Sequence, residues 1–480
     1  MKQIIISRDH LETRVALLED GRAAEMYLER PARQSLVGNV YKGRVENVLP
    51  GMDAAFVDIG MDRNGFLSVA EVVAPEARRG QARRIGDLIK PGKELLVQVT
   101  RDPMGGKGPR LTMEVGLPGR YLVYFPAGGG SGVSRRLSDT ERERLRAVSR
   151  EVKPETGGVI IRTAAEGAGK EAIERDLRFL QRVWARAERR AQTVTAPEMV
   201  YAEAGVALRS VRDLLSLEFS SVLVDDDKLQ RRLANYLHAV APDLKGLVQL
   251  YDGERPLFEQ YGIDQEMEKA LARRVNLPSG GSIVIDHTEA MTVIDVNTGR
   301  YVGKRQLEDT TLKTNLEACK EVVRQLRLRD IGGIIVIDFI DMTAKTNREV
   351  VLAALEAEFA TDRTKTYVVE ISPLGLVEMT RQNVTQGLRE IVTSACPVCR
   401  GQGRVISDES ALIVVERRLA GLLREADLPV VRVEVHPRMV GHLSPGSPVV
   451  QRLHAQTGRR LEVLEATGEV PLAHVAVVPD

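Results

Sequence analysis

The sequence predicts a multidomain α/β protein with a small β-barrel inserted near its start. Three observations carry that expectation. The chain has 480 residues, more than one ordinary hydrophobic core accommodates. Between residues 36 and 118, short alternating strands are separated by Gly, Pro and Asp-Arg-Asn turns, the pattern of a closed barrel of the OB type. Further on, branched aliphatic runs alternate with amphipathic stretches, the mark of strand–helix units.

The totals narrow the class. Hydrophobic residues make up 43% and charged residues 28%, as in soluble globular proteins. No apolar run approaches the length of a membrane span, and the opening "MKQIIISRDHLETRVALLEDG" reads as charged, alternating strands. A cytoplasmic enzyme with no membrane segment is therefore expected. The net charge of +1 sets up no global field. Basic clusters at 78–84, 134–150 and 302–306 nevertheless offer local ones, or simply solvated faces. Three cysteines in so long a chain exclude a disulfide framework and suit a reducing compartment.

Along the barrel segment, Phe56 and Phe66 fall on adjacent strands, with Lys42, Arg63 and Lys107 nearby in sequence. In a chain only 4% aromatic, two such rings either form a stacking platform for unpaired bases or fill the barrel. Residues 119–210 mix glycine loops with a charged helical stretch. Within them "AAEGAGKE" lacks the first Gly of a phosphate loop and has Glu171 where Ser or Thr would meet Mg²⁺, so nucleotide hydrolysis is excluded. Arg162 and Thr163, closing the strand "GVIIR", can offer a guanidinium fork and a hydroxyl to a terminal phosphate.

The chemistry concentrates in "MTVIDVNTGRYVG" and "GGIIVIDFIDM". Each holds a branched aliphatic run closed by an acid, Asp295 in the first and Asp338 in the second, with Asp341 three residues on. The run Ile334 to Ile337 reads as a strand buried on both faces. Acids after strands often do no more than start a turn or cap a helix. Here a helix intervenes, its Leu312, Leu316, Cys319, Val323 and Leu326 on one face. The strand–helix–strand order predicts parallel neighbours whose carboxylates emerge together. Two such acids repel unless a cation lies between them. Mg²⁺ or Mn²⁺ is the natural ion and a phosphate ester the natural substrate.

"CPVCRGQG" at 396–403 is a zinc half-site: Cys396 and Cys399 supply two of the four ligands zinc requires. A redox pair, completion by distant histidines, and completion by a second copy of the chain are the three outcomes. The redox reading lacks a thioredoxin-like context. A shared zinc predicts a homodimer.

Taken together, these motifs resemble the bacterial ribonuclease E/G family, and its ribonuclease G branch most. The likeness runs from the N-terminal strands through "GNVYKGRVENVLPGMDAAFVDIG", "IDVNTGRYVG", "NLEACKEVVRQLRLRDIGGIIVIDFIDM" and "LGLVEMTRQN" to "CPVCRGQG". The resemblance implies an RNase H-like subdomain (1–35 and 211–278), an S1 barrel of OB type that binds RNA (36–118) and a 5′-sensor subdomain (119–210). A DNase I-like catalytic subdomain (279–393), a zinc-link (394–406) and a small C-terminal αβ domain (407–480) would follow. It implies catalytic Mg²⁺ on Asp295 and Asp338 assisted by Asn297, RNA contacts by Phe56, Phe66 and Lys107, and 5′-monophosphate binding by Arg162 and Thr163. Cys396 and Cys399 would bind structural Zn²⁺ shared between subunits of a homodimer, with a tetramer left open. The implied activity is endonucleolytic cleavage of single-stranded RNA in rRNA maturation and mRNA decay, leaving 5′-phosphate and 3′-hydroxyl ends. From the residues alone, a DNA-directed phosphodiesterase and a non-catalytic RNA-binding or ribosome-associated factor are the rivals.

Overall fold

The computed structural model describes residues 1–31, 34–73, 84–103, 106–128, 130–299, 307–372, 375–382, 387–468 and 470–478. The basic stretch 302–306, and all of 78–84 except Arg84, lie outside them. The chain divides into two compact units, Met1–Ile391 and Val392–Asp480.

In the first unit, Lys2–Arg8, Thr13–Glu19 and Arg22–Glu29 form an antiparallel meander. Its second turn is possible because Asp20 and Gly21 take positive φ. Phe219–Val224 joins parallel to the first strand, with Val248–Leu250 beyond it, so one five-stranded sheet gathers two distant stretches of sequence. Ile4, Ile6, Val15 and Leu17 on one face share a core with the helices Val206–Leu214 and Asp227–Val240. Asp226 caps the second of these by accepting the Leu229 N–H at 2.6 Å.

The inserted barrel is observed. Val40–Leu49, Ala54–Asp58, Gly65–Ser68, Arg110–Thr112 and Glu94–Arg101 follow one another around it, and the last pairs with the first. Five strands thus close on themselves, consistent with an OB-type fold. Val45, Ala55, Val57, Leu67, Val97, Val99 and Leu111 fill it. A smaller sheet follows, built from Leu117–Pro118, Leu122–Phe125, Gly158–Ile161 and Gly132–Val133. Its core includes residues of the helices Asp139–Glu151 and Lys170–Thr193.

The sheet that matters most has the order Arg274–Asn276, Ser282–His287, Met291–Asn297, Gly333–Asp338, Leu376–Arg381, Thr366–Ile371. Only the central pair is parallel. The helices Leu307–Leu328 and Lys345–Phe359 share a core with this sheet, formed by Ile283, Ile294, Val296, Ile335, Ile337, Cys319, Val323, Leu326 and Val351 among others. The run Ile334 to Ile337 is not buried on both faces: Ile335 and Ile337 are 0% exposed, whereas Ile334 is 48% exposed. No helix of the described residues covers the second face as the two crossover helices cover the first, so the strand alternates despite its unbroken apolar sequence. Ion pairs from Arg327 to Glu19 and Glu25, and from Arg324 to Glu266, buried or half-buried, tie the helix Leu307–Leu328 to the first sheet and its neighbour.

The second unit contains the helix Asp408–Glu425, capped by the Ser407 hydroxyl, and a three-stranded sheet of order Arg460–Glu465, Val430–Val435, Val475–Val477. Among the described residues, no helix is long and apolar enough to cross a membrane.

Candidate active site and RNA-contact surfaces

Strand register brings the two predicted acids together. In the parallel pair Met291–Asn297 and Gly333–Asp338, Ile294 lies opposite Ile337 and Asp295 opposite Asp338. Because side chains alternate along a strand, the buried Ile294, Val296, Ile335 and Ile337 point to the helices. Asp295 and Asp338 therefore share the open face. Asn297, two residues on and on that same face, donates from Nδ2 to Asp295 Oδ2 at 2.7 Å. Burial, together with the negative charges of Asp295 and Asp341, pushes the Asp338 carboxyl above its ordinary range.

The segments that follow these two strands are held from behind. Asn315, 0% exposed within the crossover helix, clamps Ile340 from both sides. Its Oδ1 accepts the Ile340 N–H at 3.1 Å and its Nδ2 donates to the Ile340 carbonyl at 2.9 Å. Glu308 on the same helix accepts the Ala344 N–H at 2.8 Å and Asn347 Nδ2 at 3.1 Å. A Cβ at Gly299 would lie 2.2 Å from the Gly280 carbonyl oxygen, so only glycine lets these two loops pass. Sequence reading missed Asn315. A polar residue at spacing i, i+4 from Cys319, on the apolar face of the helix, was the available signal.

The donor chemistry fits a hard divalent ion. Two adjacent carboxylates supply oxygen ligands, and Mg²⁺ commonly takes one or two of these and fills its remaining positions with water and phosphate oxygens. Among the described residues no group of three or more His, Cys, Asp or Glu forms a ready-made cage.

On the barrel, Phe56 and Phe66 are directly opposite across two antiparallel strands. Their ring centroids are 6.0 Å apart at an interplanar angle of 69°. Alternation places Ala55, Val57 and Leu67 inside and both rings outside, half-buried. The barrel-filling reading is thus overturned. Exposed Arg110 pairs with Phe66 along the neighbouring strand, and exposed Lys107 lies in the preceding turn. The Arg63 guanidinium approaches Gly106 of that turn. Lys42, grouped with them by sequence, is committed elsewhere: its ammonium donates to the Val194 carbonyl at 2.9 Å and pairs with Glu94 at 3.0 Å.

Arg162 and Thr163 follow the strand Gly158–Ile161. Arg162 Nη1 donates to Asp213 Oδ1 at 2.6 Å and to the Gly119 carbonyl, while the Thr163 hydroxyl shares a hydrogen bond with Ser134 at 2.9 Å.

In the second unit Cys396 is exposed and Cys399 half-buried, both as free thiols. Arg400, Gly401 and Gly403 all have positive φ, which curls the chain back so that the Gly403 and Gly401 N–H groups point at the Cys399 sulfur. Those two N–H groups, then Cys396, lower the Cys399 thiol below its ordinary pKa. A stabilised thiolate is what a metal ligand requires. Cys319 is unsuited to join it: burial pushes its thiol up to about 12, and its sulfur donates to the Val351 carbonyl.

The model of the Ribonuclease E/G family matches residues 116–384. Ribonuclease G of Salmonella typhimurium is 41% identical over 425 residues, 87% of each chain. Ribonuclease G of Haemophilus influenzae is 40% identical over 416 residues, 85% of each. Ribonuclease E of Escherichia coli is 38% identical over 444 residues, 91% of this chain and 42% of that protein.

Proposed function

Because this chain belongs to the Ribonuclease E/G family, we propose that it is a Mg²⁺-dependent endoribonuclease that cleaves single-stranded RNA at the Asp295–Asp338 pair. The observation that carries this reading is the strand register, which sets two carboxylates side by side on an open sheet face. Asp295 and Asp338 hold the ion, and Asn297 fixes the orientation of Asp295 through its 2.7 Å hydrogen bond. An ion held there would supply Lewis acidity to the scissile phosphate, and the proposed products are a 5′-phosphate and a 3′-hydroxyl.

The other surfaces serve substrate binding. Phe56 and Phe66 stack unpaired bases, and Lys107 contacts phosphate, which makes binding weaken with salt. Arg162 and Thr163 receive a 5′-terminal monophosphate and favour RNAs that carry one. Precursor rRNA and mRNA are the proposed substrates. Cys396 and Cys399 hold half of a structural zinc site that a second copy completes, making a homodimer.

The test is Asp295→Asn with a single-stranded RNA oligonucleotide. Cleavage is expected to fall roughly a thousandfold while RNA binding, measured by filter retention or anisotropy, stays within about twofold. Undiminished cleavage by this variant would remove the proposed centre.

A further inference from the structure

We propose that Asp213 is a positioning residue for end recognition: it holds the Arg162 guanidinium so that its Nε–Nη2 edge is presented to a terminal phosphate monoester. This rests on the reading of Arg162 and Thr163 given above.

The backbone of Arg162 is fixed where the strand ends, its N–H donating to the Tyr121 carbonyl at 2.8 Å. The side chain is then pinned by a single nitrogen. Nη1 gives one hydrogen to Asp213 Oδ1 at 2.6 Å and the other to the Gly119 carbonyl. No described residue accepts from Nε or Nη2, and the side chain keeps 27% of its surface exposed. An Nε–Nη2 edge carries two parallel N–H groups at the spacing of two phosphate oxygens. The next residue brings the Thr163 hydroxyl to the same strand end.

Asp213 is itself rigidly set. Arg212 donates to both its oxygens, Nε to Oδ1 at 3.1 Å and Nη2 to Oδ2 at 3.0 Å. Arg212 is in turn fixed by Glu203 at 2.6 Å and the Pro118 carbonyl at 3.2 Å. Arg363 donates to the Asp213 and Leu214 carbonyls at 2.7 and 3.0 Å, which fastens the end of the helix Val206–Leu214. Burial pushes the Asp213 carboxyl up, but Arg212 and Arg162 outweigh it and hold the group below its usual value. The support therefore runs in one line, Glu203 to Arg212 to Asp213 to Arg162, and ends at the accessible edge.

A purely compensating role for Asp213 predicts the opposite sign. If the carboxylate only neutralised Arg162, its removal would leave a more cationic guanidinium, and a terminal phosphate would bind at least as well. If it orients Arg162, removal lets the fork rotate and the phosphate loses its bidentate partner.

The experiment uses the full chain and one oligonucleotide sequence carrying either a 5′-phosphate or a 5′-hydroxyl. Asp213→Ala is expected to lower the phosphate-to-hydroxyl ratio of kcat/KM roughly tenfold, through the KM of the phosphorylated substrate. Cleavage of the hydroxyl substrate stays at the wild-type rate and reports that the protein is folded. Asp213→Glu should restore part of the ratio; Asp213→Asn, which keeps the side-chain size, replaces the alanine variant where that one fails to accumulate. An unchanged or raised ratio, or an equal loss on both substrates, overturns the proposal. Arg162→Gln separates the two levels of failure. If it abolishes the preference while the Asp213 variants do not, only the positioning role fails. If it leaves the preference intact, or wild type shows none, the terminal-phosphate reading itself fails.

Discussion

The carboxylates of this chain are organised in two opposite ways. At the Asp295–Asp338 pair, like charges meet on an open sheet face, and the charged groups that perturb Asp338 are the acids Asp295 and Asp341. Around Asp213 the carboxylates alternate with guanidinium groups: Glu203 and Asp213 on Arg212, Asp213 on Arg162. Among the described residues the first arrangement lacks counter-charges around Asp338. The second is complete, so its role is to fix geometry. A cluster of acids signals a ligand site when it lacks its counter-charges, and a scaffold when it has them.

Four substitutions test that contrast. The largest effect is expected from Asp338→Asn: RNA cleavage falls roughly a thousandfold, while removal of one like charge raises Tm in divalent-free buffer by about 1 °C. A drop of several degrees would mean the pair is structural. Arg212→Met should do the reverse. It leaves Glu203 without its counter-charge and Asp213 with Arg162 alone, in a site where Arg212 is 8% and Glu203 6% exposed, at a cost of about 3 kcal/mol. Denaturant unfolding would register that loss, with cleavage of 5′-hydroxyl RNA largely kept below the shifted midpoint.

Asp176 gives the network a pH signature. It is 0% exposed, accepts the Tyr121 N–H at 2.7 Å, and burial pushes its carboxyl up to about 6 against those N–H bonds and Arg162. The native state thus holds this proton to higher pH than the unfolded chain does. Its stabilising contribution is fully present below the unfolded pKa of 3.8 and is lost as pH rises through about 6. Asp176→Asn should remove that decline, worth on the order of 3 kcal/mol, as followed by unfolding midpoints across this range. The smallest effect belongs to Asn315→Ala, which unclamps Ile340 behind the acid pair. It should reduce kcat about tenfold and raise the Mg²⁺ concentration needed for half-maximal activity. Unaltered Mg²⁺ dependence would show that the loop holds its shape without the clamp.

Much of this was legible in the residues. Branched aliphatic runs closed by Asp295 and Asp338, with an amphipathic helix between, are enough to imply parallel strands, and the register does set the acids opposite each other. Glycine and turn residues marked the barrel's strands and set Phe56 and Phe66 on adjacent ones; the register then put both rings on one side. Other features were not legible because burial and pairing depend on neighbours far away in the chain. Ile334 looks like core by composition, yet nothing comparable to the crossover helices covers its face among the described residues. Lys42 looks like part of a basic surface, yet Glu94 and the Val194 carbonyl claim it.

The sequence by itself determined the order of strands and helices, the candidate donors and the family to which the chain belongs. Period, turn chemistry and short motifs are local properties that a linear string carries. The tertiary structure alone decided which charges meet. Asp213 is 51 residues from Arg162 and Asn315 is 25 from Ile340, and electrostatic and hydrogen-bond energies fall off with distance in space, whatever the separation along the chain.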